Sequence, residues 1–306
     1  MHRPILIIGN GPAAWGILSG LASAGSRQRA AVVAPEWPAP SVPGLSQVAL
    51  GNVPIERAAW KAQRNWPAET MHGWVEHVDV SARTAIWRDG LGQEVVCRFD
   101  VLAAATGTKP RLLALPDGFK GRVMHFHGTA DLAGWMALQE GERVTVVGGG
   151  LVGAEMVEMA VQRGCEVHWV MREDQIWSRI LPPVQSSALA AEAMAHGVQL
   201  HFGTTDGMSL AVALGADVVG LAIGSVPEVP NGFPRSVEQN GFYIAGDASG
   251  GATGWAVAMA HGVAVGCAMA AGKPAPTPNP DGIPFRASFF RRKVVADSDI
   301  QAHKTT

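Results

Sequence analysis

Ile5-Leu6-Ile7-Ile8-Gly9-Asn10-Gly11-Pro12-Ala13-Ala14 decides how the rest of the chain is read. An apolar run of strand length ends in Gly-x-Gly-x-x-Ala, and a helix of small residues from Ala13 to about Ala24 follows at once. This is the pattern of a dinucleotide-binding turn. Gly9 makes the tight turn, and Gly11 lets the backbone approach a pyrophosphate. Ala14 is small enough for close helix–strand packing, while Pro12 and Ala13 open a helix whose N-terminus faces the phosphates. Glycine-rich turns also occur without a nucleotide, so the remaining chain has to decide.

The 306 residues suggest roughly two domains. With 47% hydrophobic and 16% charged residues, the composition fits a soluble protein with a large core. A net charge of −2 leaves no electrostatic footprint for nucleic acid. Cys97, Cys165 and Cys267 are far apart, with no C-x-x-C or metal spacing, so no metal site is expected. Free buried thiols in a reducing, cytoplasmic compartment are the expectation. The N-terminal apolar run is broken by Gly-Asn-Gly-Pro, which favours a strand over a signal peptide. Gly254 to Gly272 is close to membrane-span length, but it is built mostly of Ala, Gly and Val around His261. It reads as a buried helix, and no membrane partner is expected.

Arg29 to Val33 reads as a second strand, closed by Pro35-Glu36. Glu36 falls near the spacing at which an acid after the second strand binds a ribose hydroxyl, although an ordinary surface Glu fits equally well. Pro-rich coil from Trp37 to Gly44 and a helical patch to Trp66 come next. His72 to Val80 and Thr84 to Trp87 read as antiparallel strands, and Asp100 to Ala105 as another. Glu142 to Val147 is a second buried strand. It ends in a full Gly148-x-Gly150-x-x-Gly153, and a helix continues from Leu151 and Val152 to about Arg163. Glu166 to Met171 is the next strand. Ala188 to His196 is helical and capped by Gly197, and Ala216 to Ile223 is a strand ending at Gly224. Gly241 to Asp247 is a short strand into the long Ala/Gly helix. Two copies of strand–glycine turn–helix amount to an internal repeat and imply two dinucleotides, naturally a flavin and a nicotinamide.

Gly9-x-Gly11-x-x-Ala14, Ala105-Thr106-Gly107-x-x-Pro110, Gly148-x-Gly150-x-x-Gly153-x-Glu155, Ala222-Ile223-Gly224 and Ala245-Gly246-Asp247 occur in one fixed order. This set resembles the pyridine nucleotide–disulfide oxidoreductase superfamily of flavoproteins over residues 3–272, with ferredoxin and rubredoxin reductases as the nearest branch. The resemblance implies an α/β fold of two Rossmann-like dinucleotide-binding domains in a three-layer arrangement. A FAD domain at 1–112 plus 236–275 would be split by an inserted NAD(P) domain at 113–235, with a tail at 276–306. Gly9, Gly11, Pro12, Ala13 and Ala14 would hold the FAD pyrophosphate, and Glu36 its ribose. Val75 would contact adenine through its backbone. Thr106 and Gly107 would line the flavin, and Gly246 and Asp247 would meet the ribityl chain or pyrophosphate. Gly148, Gly150, Leu151, Val152, Gly153 and Gly224 would hold the nicotinamide dinucleotide. Arg172 and Arg179 suit the 2′-phosphate of NADPH, while Glu173 beside them argues for NADH. Their plain alternative is a solvated loop.

Departures from the pattern narrow the chemistry. No redox cysteine pair is present. The loop Ser41 to Gln47 also lacks the single cysteine of members that reduce oxygen, peroxide or coenzyme A disulfide. Ferredoxin reductase relatives often read Leu-Ser-Lys where this chain reads Leu45-Ser46-Gln47, and their Lys pairs the Glu that corresponds to Glu155. Glu155 is the candidate catalytic residue, near nicotinamide or flavin, or else a helix-surface carboxylate. Relatives continue into a third domain, where this chain has Pro-rich sequence and the basic aromatic segment Phe285 to Lys293. That segment could be a remnant strand, a docking peptide for an acidic carrier or an edge in a homo-oligomer; a tail packed on its own domain is the plainer reading. Phe126-x-Gly128 approaches a monooxygenase motif but has Leu132 where that motif has His. Trp15, Trp135, Trp177 and Trp255 read as packing. The expected activity is FAD-dependent NAD(P)H oxidation, with electrons leaving to a ferredoxin-like protein or a small organic substrate. A flavin-dependent monooxygenase or oxidase and a non-catalytic FAD-binding subunit are the alternatives.

Overall fold

The computed structural model describes residues 1–37, 39, 42–58, 68–234, 241–250, 254–279, 285–290 and 292–296. The described residues form two compact units. Unit 1 takes its residues from Met1–Ala39, Ala59–Lys109 and Val226–Pro280; unit 2 takes them from Pro40–Ala58, Pro110–Ser225 and Asp281–Thr306.

Unit 1 is built on β1 (His2–Ile8), β2 (Ala30–Ala34), β3 (Glu69–His72), β4 (Trp74–Asp79), β5 (Thr84–Arg88) and β6 (Glu94–Ala104) in the sheet order β3-β2-β1-β6-β5-β4. The strands β1, β2 and the second half of β6 run parallel, whereas β4, β5 and the first half of β6 form an antiparallel meander. The expected single strand His72 to Val80 is in fact two. Gly73, at φ +149°, separates β3, parallel to β2, from β4, antiparallel to β5. A Cβ at Gly73 would lie 2.2 Å from Trp87 Cδ1, so only glycine can make this change of direction. β1 and β2 are buried on both faces, which is why they read as unbroken apolar runs rather than as alternation.

The small-residue helix appears as α1 (Pro12–Ser23), opened by proline where its missing N–H costs nothing. The membrane-length segment appears as α8 (Trp255–Ala270). No described helix is long and apolar enough to cross a membrane. What its composition serves is contact with α1. A Cβ at Gly16 or Gly20 would lie 2.2 or 2.1 Å from the carbonyl oxygens of Met259 and Val263. A Cβ at Gly262 or Gly266 would lie 2.2 Å from those of Ala13 and Ile17. Interior glycines cost a helix about 1 kcal/mol each, and here the close backbone approach requires them. Between these helices in sequence, β14 (Phe242–Ile244) adds to the parallel edge of β6, and a 3₁₀ turn, Gly246–Ser249, follows.

Unit 2 holds a fully parallel five-stranded sheet. Its strands are β8 (Arg122–Met124), β9 (Arg143–Val147), β10 (Glu166–Val170), β11 (Gln199–His201) and β12 (Val218–Leu221), in the order β11-β10-β9-β12-β8. Helices α4 (Thr129–Met136), α5 (Leu151–Gln162), α6 (Pro183–Ala195) and α7 (Gly207–Ala213) connect them. The helix expected from Ala188 begins earlier, at Pro183, and Gly197 follows its end at φ +83°. Two short strands, β7 (Thr108–Pro110) and β13 (Ser225–Pro227), pair with each other.

The stretch Ser41 to Gln47, read as loop, is largely helix: α2 spans Val42–Ala49, and α3 spans Ile55–Ala58. Leu45, Val48 and Ala49 recur at helical spacing and are buried in the unit 2 core, which outweighs the coil signal of the neighbouring prolines. The remainder of the helical patch, 59–67, and Ser41 lie outside the described residues. The C-terminal segment forms an antiparallel hairpin, β15 (Phe285–Phe289) and β16 (Arg292–Ala296), with Phe289 inside the same core. Ala287, Phe289 and Phe290 therefore pack on their own unit.

Candidate functional site

The carboxyl ends of parallel strands mark where α/β sheets bind ligands. In unit 1, β1, β2, β6 and β14 are mutually parallel, so their ends at Ile8, Ala34, Ala104 and Ile244 share one edge. Gly9 leaves β1 at φ +97°, and a Cβ there would lie 2.3 Å from the Ala105 carbonyl oxygen. Its N–H donates to Val33 O at 2.8 Å. Gly11 caps α1, and a Cβ on it would meet nothing within 4 Å. The turn is therefore closed beneath Gly9 and open beside Gly11, at a helix N-terminus with unsatisfied N–H groups, which fits a pyrophosphate. Ala14 is fully buried behind it.

Other expected residues converge on the same edge. Asn10 Nδ2 donates to Glu36 O at 2.5 Å, which brings the exposed Glu36 beside the turn. Gly246, at φ +66°, would put a Cβ 2.6 Å from that of Ala13, so the 3₁₀ turn bearing Asp247 abuts the first turn of α1. Thr106 Oγ1 donates to Glu228 O, and Glu228 N donates to Gly107 O at 3.0 Å. Val75 is buried in the sheet core, and its backbone lies at a register shift on β4.

Unit 2 repeats the design. Gly148 has φ +123°, and its Cβ position lies 2.2 Å from Ala222 O. Gly150 caps α5 with open space beside it. A Cβ at Gly153 would lie 2.1 Å from Gly148 O, as the third glycine of the motif requires. Leu151 is exposed, and Val152 is half-buried. The strand expected to run to Gly224 ends at Leu221, and Gly224, at φ +94°, lies between β12 and β13 and accepts from Arg111 N at 3.0 Å. Arg172 and Arg179 are exposed beyond the end of β10, and Arg172 pairs with Glu173 at 3.1 Å. Two further residues lie at this edge. A Cβ at Gly224 would lie 3.8 Å from Arg111 Nε, and His125, just past β8, has a buried Nδ1 without a hydrogen-bond partner among the described residues. Strand order, which is invisible in sequence, is the signal that places both there.

Glu155 is not a helix-surface carboxylate. It is half-buried on α5, and Ser46 Oγ donates to its Oε1 at 3.2 Å. Burial pushes its pKa up to about 7; the Ser46 hydrogen bond opposes the shift and the nearby Glu158 charge adds to it. Gln47, at the position where relatives carry Lys, instead accepts from Asn52 Nδ2 at 3.0 Å. A hydroxyl thus partners Glu155 in this chain.

All three cysteines are free thiols, but only Cys97 is buried, while Cys165 and Cys267 are half-buried. Burial raises Cys97, and burial with the Glu142 charge pushes Cys165 up to about 11. Among the described residues no cluster of His, Cys, Asp or Glu is arranged to hold a metal. The backbone N–H groups of His127 and Gly128 both donate to Asp131, capping α4. Phe126 and Leu132 of the near-miss motif are core residues. Trp135 and Trp177 are buried as expected, but Trp255, at the start of α8, is 53% exposed and is not core packing.

The family model described as "Pyridine nucleotide-disulphide oxidoreductase" matches residues 3–206. The ferredoxin reductase component of a chlorobenzene dioxygenase from Cupriavidus sp. (strain PS12) is 28% identical over 214 residues, 67% of this chain and 50% of that protein. The ferredoxin–NAD(+) reductase component of a p-cumate 2,3-dioxygenase system from Pseudomonas putida is 31% identical over 132 residues, 42% of this chain and 31% of that protein. The chain thus spans half or less of the length of these two relatives. Among solved structures, the ferredoxin reductase for the CYP199A2 system from Rhodopseudomonas palustris aligns with a TM-score of 0.76 at 18% identity, covering 96% of this chain and 81% of that one.

Proposed function

The chain belongs to the pyridine nucleotide-disulphide oxidoreductase family, and from that premise we propose that it is a FAD-dependent NAD(P)H oxidoreductase serving an external electron acceptor. The observation that carries this reading is the pair of glycine turns. Each lies at the carboxyl ends of parallel strands, closed under its first glycine and open beside its second. We assign FAD to unit 1 and the nicotinamide dinucleotide to unit 2.

In unit 1 the α1 N-terminus and Gly11 would bind the pyrophosphate, Glu36 the ribose, and Asp247 the ribityl or pyrophosphate oxygens. Thr106 and Gly107 would line the flavin, with the Thr106 hydroxyl and the Gly107 carbonyl held by the backbone of Glu228. In unit 2 Gly150 and the α5 N-terminus would take the second pyrophosphate, while Arg172 and Arg179 would favour a 2′-phosphate and thus NADPH. When bound, the two cofactors supply hydride transfer from nicotinamide to flavin, a step that depends on positioning more than on acid–base chemistry. Glu155 would hold a proton near neutral pH, where relatives with a Lys would keep the corresponding carboxylate ionised. A small iron–sulfur carrier is the acceptor class that agrees with the ferredoxin reductase relatives.

The test is anaerobic titration of the purified flavoprotein. Rapid bleaching by NADPH or NADH, followed by faster reoxidation by a ferredoxin than by oxygen, is the expected result. Failure of both nucleotides to bleach the flavin would refute the reductase.

A further inference from the structure

The C-terminal hairpin is no part of either strand–turn–helix unit, yet Phe289 is completely buried. Its ring centroid lies 5.7 Å from that of Trp169 and 6.3 Å from that of Trp177. Both tryptophans hold the second glycine turn. Trp169 Nε1 donates to Gly148 O at 2.9 Å, and Trp177 N donates to Gly149 O at 3.1 Å. A peptide unit is planar, so fixing the Gly148 oxygen orients the Gly149 N–H, and fixing the Gly149 oxygen orients the Gly150 N–H. Those N–H groups are the donors that such a turn offers to a pyrophosphate. Trp177 is held at φ +50°, which a bulky residue adopts only when its surroundings impose it. The other side of the hairpin turn is anchored separately. Phe290 stacks on His196 at 4.1 Å, and its N–H donates to the Glu158 carboxylate on α5.

We infer that the hairpin is a positioning element for nicotinamide-dinucleotide binding. Phe289 braces Trp169 and Trp177, and these fix the two peptide units of the turn. The inference rests on the assignment of that dinucleotide to unit 2.

The experiment is calorimetric titration of NADPH and of NADH into the FAD-loaded full chain. For whichever nucleotide the wild type binds, Phe289→Ala weakens affinity about tenfold, the loss of one charge-assisted hydrogen bond from the turn. FAD content is unchanged, and Phe289→Leu, which keeps apolar volume, retains most of the affinity. Leu138→Ala serves as the control. It opens a cavity in the same core, but Leu138 adjoins Gln139, which bonds to Glu142 just before β9, at the opposite end of that strand from the turn. The control binds as the wild type does. Wild-type affinity in Phe289→Ala, or an equal loss in Leu138→Ala, overturns the inference while leaving the function standing. If Phe289→Ala does not fold, Phe289→Leu and Phe289→Val decide it: affinity falls as the side chain shrinks at constant FAD content, or the inference fails. A wild type that binds neither nucleotide overturns the functional assignment and the inference together.

Discussion

Replacing Glu155 by Gln should make the stability of the protein depend differently on pH. Burial lifts the Glu155 pKa from 4.5 to about 7, and Ser46 supplies a hydrogen bond that only partly offsets it. The folded state thus holds the proton more tightly than the unfolded chain does. The stabilising contribution is fully present below pH 4.5, shrinks as pH rises, and is gone above pH 7, where the ionised carboxylate must be kept in a poorly solvated place. A shift of this size corresponds to about 3 kcal/mol at high pH. Glutamine resembles the protonated acid and has no such dependence. In urea unfolding followed by tryptophan fluorescence, E155Q should match the wild type within about 0.5 kcal/mol near pH 4.5 and exceed it by about 3 kcal/mol at pH 8.5. The comparison is read as a midpoint shift at unchanged m-value. Removing the hydroxyl with Ser46→Ala should cost about 1.5 kcal/mol at pH 8.5 in the wild type and much less in E155Q. An E155Q midpoint shift that is the same at both pH values, or a destabilised E155Q at pH 8.5, would refute the reasoning.

Three further outcomes follow from the geometry. Gly11→Val has open space for its side chain and φ −76° for its backbone. The apo-protein should melt within about 2 °C of the wild type, yet FAD per chain after reconstitution should fall sharply; full FAD occupancy contradicts the unit 1 assignment. Gly266→Leu forces a side chain against the Ile17 carbonyl, 2.2 Å from its Cβ position. A loss of more than about 3 kcal/mol is expected, and calorimetric melting checks it. Arg172→Ala should lower kcat/KM for NADPH about tenfold and leave NADH nearly unchanged. Equal losses for both nucleotides would remove the argument for a 2′-phosphate.

Much of this protein is written in contiguous sequence. Each glycine turn lies between an apolar strand and a helix within about a dozen residues, so chain sterics alone make it legible. Gly9 and Gly148 need positive φ, which has a local signature, whereas the Ala105 and Ala222 carbonyls that exclude a side chain there come from strand ends distant in sequence. The order of the motifs along the chain then identifies the family. What lies beyond this depends on residues far apart in sequence. The helix over Val42–Ala49 forms because Leu45, Val48 and Ala49 find a core, and its neighbouring prolines speak against it locally. The two glycine pairs of α1 and α8 look like helix breakers or a membrane segment until the backbones meet. The acidity of Glu155 is set by burial and by Ser46, which belongs to a different helix. The hairpin residue Phe289 joins Trp169 and Trp177 only through a shared core. Backbone conformation is local, and the sequence by itself determined where the turns and their flanking elements fall. Desolvation and close packing are collective, so only the tertiary structure decided which distant residues meet and what charge they carry.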